Sequence, residues 1–374
     1  MSYPLLYIDT ATELSRFTDS ITESQFIAVD SEFMRRSTYF PMGGLLQVSN
    51  GKLCAIIDLV ALAGNIESLI PILKDNGIQK VFHSASEDME LLYKLTGVDS
   101  FCGIVDTQIL ATILYNNQGV GFKALVEKVL GVSLDKQETR SDWLKRPLTS
   151  RQIQYAADDV HYLYQAYPMM LENLDGKCLK EMFNRECDER FKSADAFRPD
   201  PEKAYRRVGQ WFQLNSKERK YLYLLAKWRE EKAIQENKPK SFVVKDDVIT
   251  IISQRQPQSI ENLSALGLLK KSELKQYGRE LVGVCQQAEA LDIDISRPVI
   301  PRSLPNYRQI SAGLKEYTQS RADELEIPSS FLCSKKRIDQ FMVGYHQKGE
   351  SATLGGWRGD YLDEGFKTII TSFT

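Results

Sequence analysis

Histidine and paired cysteines are scarce in this chain. Its 374 residues include three histidines and six cysteines, and no two cysteines form a Cys-x-x-Cys pair. Structural zinc sites are built mainly from these residues, so the composition argues against such a site and favours reduced thiols. The sequence also lacks a long apolar run and a basic-then-apolar leader. We therefore expect a cytoplasmic protein that does not engage a membrane.

Charge is abundant and unevenly distributed. Residues 1–200 hold 20 Lys+Arg and 28 Asp+Glu, residues 201–290 hold 17 and 11, and residues 291–374 hold 11 of each. The acidic front section is typical of a domain whose carboxylates bind cations. The basic middle section fits either a module that contacts phosphate backbones or an ordinary solvated helical surface. Charge alone leaves both interpretations of the middle section open.

Proline-marked stretches divide the chain into segments. Hydrophobic periodicity over 1–174 predicts strands at 5–8, 26–33, 44–49, 53–59 and 80–83, and helices at 12–20, 66–74, 86–95, 107–114 and 122–130. We predict an α/β domain with a mixed sheet flanked by helices over 1–174, followed by a linker over 175–207. Two all-α helical bundles are predicted to follow, at 208–291 and 292–374.

The two predicted bundles look like repeats of one unit. A shift of 89 positions brings Pro239 onto Pro328 and Phe242 onto Phe331, within a pattern of helix, proline-marked turn and amphipathic helix. Chance matching of common residues is the alternative, but several matches at one offset favour duplication. The second copy has lost the excess positive charge of the first.

Two carboxylates stand close together in a predicted buried strand. Asp30 and Glu32 follow an apolar run, and side chains two apart on a strand point to the same side. An isolated Asp-x-Glu pair is common on exposed strands, but here the flanks are apolar. A buried carboxylate pair is costly without compensation, and cation binding removes that cost.

Two further acidic positions and a tyrosine extend this set. Asp88 follows a predicted strand end, in a turn where Ser84 and Glu87 are spaced as a capping box. Alone, Asp88 would be explained by the preference of helix starts for acidic residues. Asp159 lies four residues after Tyr155 and so shares its helical face. Oxygen ligands of this kind suit Mg²⁺ or Mn²⁺, and a two-metal site suits phosphodiester cleavage, which points to a nuclease.

Three motifs resemble those of the DEDD superfamily, the DnaQ-like, ribonuclease-H-related 3′→5′ exonucleases. They are 29–33 (Val-Asp-Ser-Glu-Phe), 83–88 (His-Ser-Ala-Ser-Glu-Asp) and 155–160 (Tyr-Ala-Ala-Asp-Asp-Val). The tyrosine four residues before the last aspartate is typical of the tyrosine subclass. Shorter matches at 39–41, 47–49, 106–107, 134–136, 142–143 and 146–148 resemble the ribonuclease D family within it. Residues 228–233, 237–239 and 246–249 resemble the HRDC module, and the family carries a second, diverged copy.

The resemblance implies a role for each matching position. Asp30, Glu32, Asp88 and Asp159 would hold two divalent cations, Mg²⁺ or Mn²⁺, and Tyr155 would orient the attacking water. The expected enzyme is an exoribonuclease that releases nucleoside 5′-monophosphates from a free 3′ end. Its expected substrates are chiefly transfer-RNA precursors and other structured RNAs.

Candidate substrate contacts lie outside the set of four carboxylates and Tyr155. Phe33 and His83 are candidates beside the catalytic motifs, although a core aromatic and a strand-end residue are competing interpretations. Basic residues of the middle section are candidates for holding the body of an RNA: Lys217, Arg219, Lys220, Lys227, Arg229, Lys238 and Lys240. The alternatives to an RNA exonuclease are a DNA proofreading or repair exonuclease and a binding module with an inactive nuclease fold. The segment layout is compatible with a monomer.

Overall fold

The computed structural model describes residues 3–116, 119–134, 138–174 and 177–373. Asp135 and Lys136, part of one matching motif, lie outside these described residues. The chain divides into two compact units. The first comprises Met1–Met34, Gly43–Phe197 and Val299–Thr374, and the second comprises Arg35–Met42 and Arg198–Pro298. The predicted boundaries at 174, 207 and 291 stay a prediction.

A six-stranded mixed sheet forms the centre of the first unit. Its strands are β1 (Leu5–Ile8), β2 (Phe26–Met34), β3 (Met42–Ser49), β4 (Cys54–Asp58), β5 (Gln79–Phe82) and β6 (Ile104–Asp106). Their spatial order is β1-β4-β3-β2-β5-β6. β1 pairs in parallel with β4, and β5 pairs in parallel with both β2 and β6, whereas β3 and β4 are antiparallel. The predicted mixed sheet is confirmed, with β6 as an additional short strand.

Helices accompany this sheet. They are α1 (Ala11–Ser20), α2 (Leu59–Leu62), α3 (Leu69–Lys74), α4 (Ser86–Thr96), α5 (Thr107–Tyr115), α6 (Phe122–Leu130), α7 (Ser150–Glu172) and α8 (Lys177–Phe191). β4 is buried along its whole length, and one apolar core joins the sheet to these helices. A core on this scale holds the strand ends rigidly, which is what a site assembled from several elements requires.

The second unit is helical. It contains α9 (Ser216–Gln235), α10 (Lys240–Val243), α11 (Asp246–Arg255), α12 (Ile260–Ala265) and α13 (Lys271–Ala290) around its own apolar core. The segment Arg35–Met42, between β2 and β3, belongs to this unit as well. There the side-chain oxygen of Asn237 accepts hydrogen bonds from the backbone N–H groups of Tyr39 and Phe40, at 3.1 and 3.2 Å. Residues of the matching motif at 39–41 are therefore hydrogen-bonded within the helical unit.

Four more helices complete the first unit: α14 (Tyr307–Glu324), α15 (Ser329–Leu332), α16 (Lys335–Lys348) and α17 (Gly356–Thr371). The offset of 89 residues noted in the sequence carries α10 onto α15 and the start of α11 onto the start of α16. Pro239 and Pro328 both precede the short helix, in extended conformations. Among the described helices, none is both long and apolar enough to cross a membrane.

Candidate active site

The carboxyl-terminal half of β2 supplies the first two acidic side chains. Asp30 and Glu32 alternate with Ser31 along the strand, as the pleat requires. Asp159 approaches them from α7. One ligand oxygen from each of Asp30, Glu32 and Asp159 lies within 4.8 Å of the other two, a spacing that fits shared cation binding. The predicted convergence of strand and helix carboxylates is observed.

Asp88 adjoins this group through a serine. It lies in the first turn of α4 and is 6% exposed. Its Oδ1 accepts a hydrogen bond of 2.5 Å from the hydroxyl of Ser31, which stands between Asp30 and Glu32 on β2. Asp88 is thus placed beside the three clustered carboxylates, although its oxygens are not part of their tight group.

The turn that leads to Asp88 is held differently from the prediction. We expected a capping box between Ser84 and Glu87, but the residue at the helix cap is Ala85 and no side chain caps it. Instead, the carboxylate of Asp106 at the end of β6 accepts from the backbone N–H groups of Ser84 and Ala85, at 2.9 and 3.1 Å. Ser84 has a φ of 66°, in the left-handed region, and so does not have the extended conformation of a helix-capping residue.

Tyr155 and Asp159 are positioned by the start of α7. Thr149 caps this helix in a capping box with Gln152, which fixes where the helix begins. The spacing of four then puts Tyr155 on the cleft side together with Asp159, and both line the same cleft. The hydroxyl of Tyr155 lies 3.4 Å from Oγ1 of Thr139.

Asp158 turns away from the cluster, as the helical spacing predicts. Its Oδ1 accepts hydrogen bonds from the hydroxyl of Tyr3 at 2.6 Å and from Nε2 of Gln154 at 2.9 Å. Two adjacent aspartates on one helix therefore have different surroundings, and only Asp159 joins the carboxylate group.

The cleft above these side chains has a volume of 440 Å³, within the range of about 300–1,000 Å³ usual for small-molecule sites. His83 and Lys123 belong to its lining. Nε2 of His83 lies 2.8 Å from the carbonyl oxygen of Val120, and Nδ1 lies 3.0 Å from the hydroxyl of Thr107. Both ring nitrogens are thus engaged inside the protein, and burial lowers the pKa of His83.

Lys123 is the cleft residue that sequence reasoning missed. It is the one lysine or arginine among the described lining residues of this cleft. No motif singles it out, because a lysine in the first turn of an amphipathic helix is ordinary. Phe33 is not among the residues that line the cleft and packs partly against the core.

Burial and mutual repulsion make the carboxylates reluctant to ionise. The pKa of Glu32 is raised to about 10, first by burial and then by the negative charges of Asp30, Asp159 and Asp88. The pKa of Asp159 is raised to about 8, first by burial and then by the negative charge of Asp158. The pKa values of Asp30 and Asp88 are also raised, first by burial and then by an acidic neighbour. The donor set is all oxygen, and no described lysine or arginine forms an ion pair with it, which fits hard divalent cations.

This repulsion predicts a pH-dependent stability. A carboxylate whose pKa is higher in the folded chain binds more protons there than in the unfolded chain, so the folded state loses stability as pH rises. Without divalent cations, we expect the melting temperature to fall between about pH 5 and 8, and Mg²⁺ to restore it. Thermal melts in EDTA and in Mg²⁺ measure this. Glu32→Gln should weaken the pH dependence, and an unchanged profile in that variant would contradict this origin.

The basic residues predicted to hold RNA fall into two groups. Arg219 and Arg229 are 8% and 4% exposed, which corrects their prediction as surface contacts. Arg219 donates to the carbonyl oxygens of Leu214 and Ile295, both at 2.6 Å, and Arg229 pairs with Asp246 at 2.6 Å. These guanidinium groups hold the helical unit together.

The five lysines remain accessible, and each has a partner within the helical unit. Four make ion pairs with glutamates, and Lys220 donates to the carbonyl oxygen of Leu291 at 2.9 Å. Ion pairs at exposed sites are weak, so the ammonium groups of Lys217, Lys227 and Lys238 can exchange their partly exposed partners for phosphate. Lys240 pairs with Glu230, whose side chain is 1% exposed, so this pair is exchanged less readily. The five are Lys217, Lys220, Lys227, Lys238 and Lys240.

Comparisons with known proteins agree with this geometry. The "3'-5' exonuclease" family model matches residues 5–175, and the "HRDC domain" model matches residues 218–285. Ribonuclease D of Shewanella sp. (strain ANA-3) is 34% identical over 365 residues, 96% of this chain and 92% of that protein.

Solved structures extend the likeness to the fold. The crystal structure of Escherichia coli RNase D, "an exoribonuclease involved in structured RNA processing", superposes with a TM-score of 0.87 at 30% identity and covers 100% of both chains. The catalytic core of RRP6 from Trypanosoma brucei shares the fold at 22% identity and a TM-score of 0.59, covering 77% of this chain and 80% of that one. This chain belongs to the ribonuclease D family of 3′→5′ exoribonucleases.

Proposed function

We propose that the enzyme trims the 3′ ends of structured RNAs, chiefly transfer-RNA precursors, by hydrolysis that uses two divalent cations. The observation that carries the proposal is the group of Asp30, Glu32 and Asp159, whose ligand oxygens converge within 4.8 Å beside the buried Asp88. The products are nucleoside 5′-monophosphates. Mg²⁺ or Mn²⁺ fits the all-oxygen donor set.

The four carboxylates are assigned to cation binding: Asp30, Glu32, Asp88 and Asp159. Two divalent cations bound there would activate the attacking water and stabilise the leaving 3′ oxygen. Ser31 holds Asp88 toward the strand by its hydrogen bond, so the fourth carboxylate is oriented before cations arrive. Lys123, on the cleft wall, supplies positive charge for the phosphate of a bound nucleotide.

Tyr155 is assigned to holding the water in line with the scissile phosphate. Burial and the charge of Asp159 raise the pKa of its hydroxyl, so the phenol stays protonated and donates a hydrogen bond. We expect Tyr155→Phe to lower kcat by about a hundredfold, with KM and metal affinity unchanged. Steady-state kinetics on a short oligoribonucleotide measure this. Tyr164→Phe, on the same helix but stacked on Phe26, is the matched control, and equal losses in both variants would contradict the role.

The helical unit is assigned to binding the body of the RNA through the five accessible lysines. Replacing all five by glutamine should weaken binding of a folded RNA and make that binding less dependent on salt. The slope of the logarithm of the binding constant against the logarithm of salt concentration should become shallower by about 0.7–0.9 for each phosphate that the variant no longer neutralises. Hydrolysis of short oligonucleotides should be spared. Binding titrations at several salt concentrations give the slope. Loss of activity on both substrates would oppose this assignment.

Residues 292–374, which contain α14 to α17, are assigned as a second, diverged HRDC-like module. Its support is the shared offset of 89 residues and a repeated turn: the N–H of Lys238 bonds the carbonyl oxygen of Ala233, and the N–H of Ile327 bonds that of Ala322. Because this copy carries no net charge, a packing role suits it better than RNA binding. The enzyme is proposed to act as a monomer.

A further inference from the structure

A second cavity in the first unit is lined by three arginines. It has a volume of 270 Å³ and lies where α5 and α8 meet the helices α15 to α17. Arg190, Arg337 and Arg358 belong to its lining, and none of the described residues in that lining is acidic. None of the catalytic carboxylates takes part in it.

The positive charge around this cavity exceeds the negative charge that contacts it. Glu186 pairs with Arg358 at 2.5 Å and with Arg190 at 2.7 Å, and Glu189 lies 3.7 Å from Arg358. Arg337 makes no ion pair and no side-chain hydrogen bond with any described residue, although its neighbours include two other guanidinium groups. Among the described residues, three guanidinium groups therefore share two carboxylates, which leaves an excess of one positive charge.

The surroundings of Arg337 make that excess costly. Burial and the neighbouring charge of Arg358 lower the pKa of Arg337. A partly buried guanidinium without a partner pays a desolvation cost that an anion would remove. Arg337 also lies in the first turn of α16, a helix of 14 residues whose N-terminus is capped by Ser334. The positive end of the dipole of α16 at this turn adds to the preference for an anion there.

Size and geometry indicate which anion fits. Guanidinium groups bind tetrahedral phosphate oxygens through pairs of parallel N–H donors. A volume of 270 Å³ is slightly below the range of about 300–1,000 Å³ usual for small-molecule sites, so a compact ligand fits and a folded RNA segment does not. Phe331 and Ile109 add apolar surface on which a sugar can rest.

We propose that this cavity is a phosphate-binding site, distinct from the active site, that takes the phosphoryl group of a small phosphate monoester such as a nucleoside 5′-monophosphate. Arg337 is the principal ligand, and Arg190 and Arg358, which already pair with Glu186, add positive charge beside it. Since products of this class are what the proposed reaction releases, the site would sense product. Phosphate binding itself does not depend on the reaction being as proposed.

The test is a phosphorus NMR titration of the full chain with inorganic phosphate and with 5′-AMP, in EDTA and at constant ionic strength. EDTA removes the divalent cations that could bridge the catalytic carboxylates to phosphate, so the active site does not contribute. We expect one saturable site per chain, with a Kd that rises by at least about tenfold in Arg337→Gln and in Arg190→Gln. Arg279→Gln, an exposed arginine of the helical unit, is the matched control and should leave the Kd unchanged.

Each outcome bears on the proposal. Tighter binding of 5′-AMP than of phosphate supports a nucleotide, and equal binding supports recognition of the phosphoryl group alone. No saturable binding, or binding that survives both substitutions, overturns the site. Binding only of an oligonucleotide without terminal phosphates overturns it in favour of RNA backbone binding. Arg190 is half exposed, so its variant keeps the test valid if Arg337→Gln does not fold.

Discussion

Replacing Asp159 by asparagine is expected to lower kcat/KM on RNA by at least about a thousandfold, because the cation site loses one of its charged ligands. The oxygen of Asp159 lies within 4.8 Å of those of Asp30 and Glu32, and asparagine keeps the shape but not the charge. The loss should appear as weaker Mn²⁺ binding as well as slower hydrolysis. Initial rates on a 5′-labelled oligoribonucleotide and a direct metal titration measure the two effects.

The adjacent residue provides an unusually close control. Asp158 sits on the same helix, but its carboxylate accepts hydrogen bonds from Tyr3 and Gln154 outside the carboxylate group. Asp158→Asn should therefore stay close to the parent rate and metal affinity, because it removes only a neighbouring charge and no ligand. If Asp158→Asn is as inactive as Asp159→Asn, the assignment of ligands is wrong. If Asp159→Asn stays active, the argument from convergent carboxylates fails.

The second large effect is expected on stability, at the buried pair that joins α8 to α17. Arg358 is 2% exposed and lies 2.5 Å from Glu186, and it also donates to the carbonyl oxygens of Leu332 and Phe331. Arg358→Met leaves the carboxylate of Glu186, which is fully buried, with Arg190 as its remaining cation. We expect a loss of about 3 kcal/mol in the free energy of opening of this region.

Hydrogen exchange over α14 to α17 measures that opening directly. The matched variant combines Arg358→Met with Glu186→Gln, which removes the buried charge as well as its partner. It should recover part of the lost stability, because the cost of the single substitution is largely that of an uncompensated charge. A double variant less stable than Arg358→Met would show instead that packing around Arg358 dominates.

The parts of the site that sequence predicts are those set by local geometry. Helical spacing separates Asp159 from Asp158, and strand alternation puts Asp30 and Glu32 on one side, without any knowledge of the fold. These predictions succeed because neighbours along the chain decide them.

The parts that sequence misses depend on residues distant along the chain. Asp106 supports the turn before Asp88 from another strand, so a local capping box was the natural but wrong expectation. Arg219 and Arg229 look like surface cations until their partners are known. Likewise, Arg337 becomes a candidate ligand only once tertiary packing brings it beside Arg190 and Arg358.

The central claim is best tested by incubating the protein with a 5′-labelled transfer-RNA precursor and a matched single-stranded DNA, in Mg²⁺ or in EDTA, beside Asp30→Asn. We predict a ladder of products shortened one nucleotide at a time from the 3′ end of the RNA, present in Mg²⁺ and missing both in EDTA and in the variant. Equal or better trimming of the DNA would contradict the proposed substrate. A variant as active as the parent would contradict the proposed metal site.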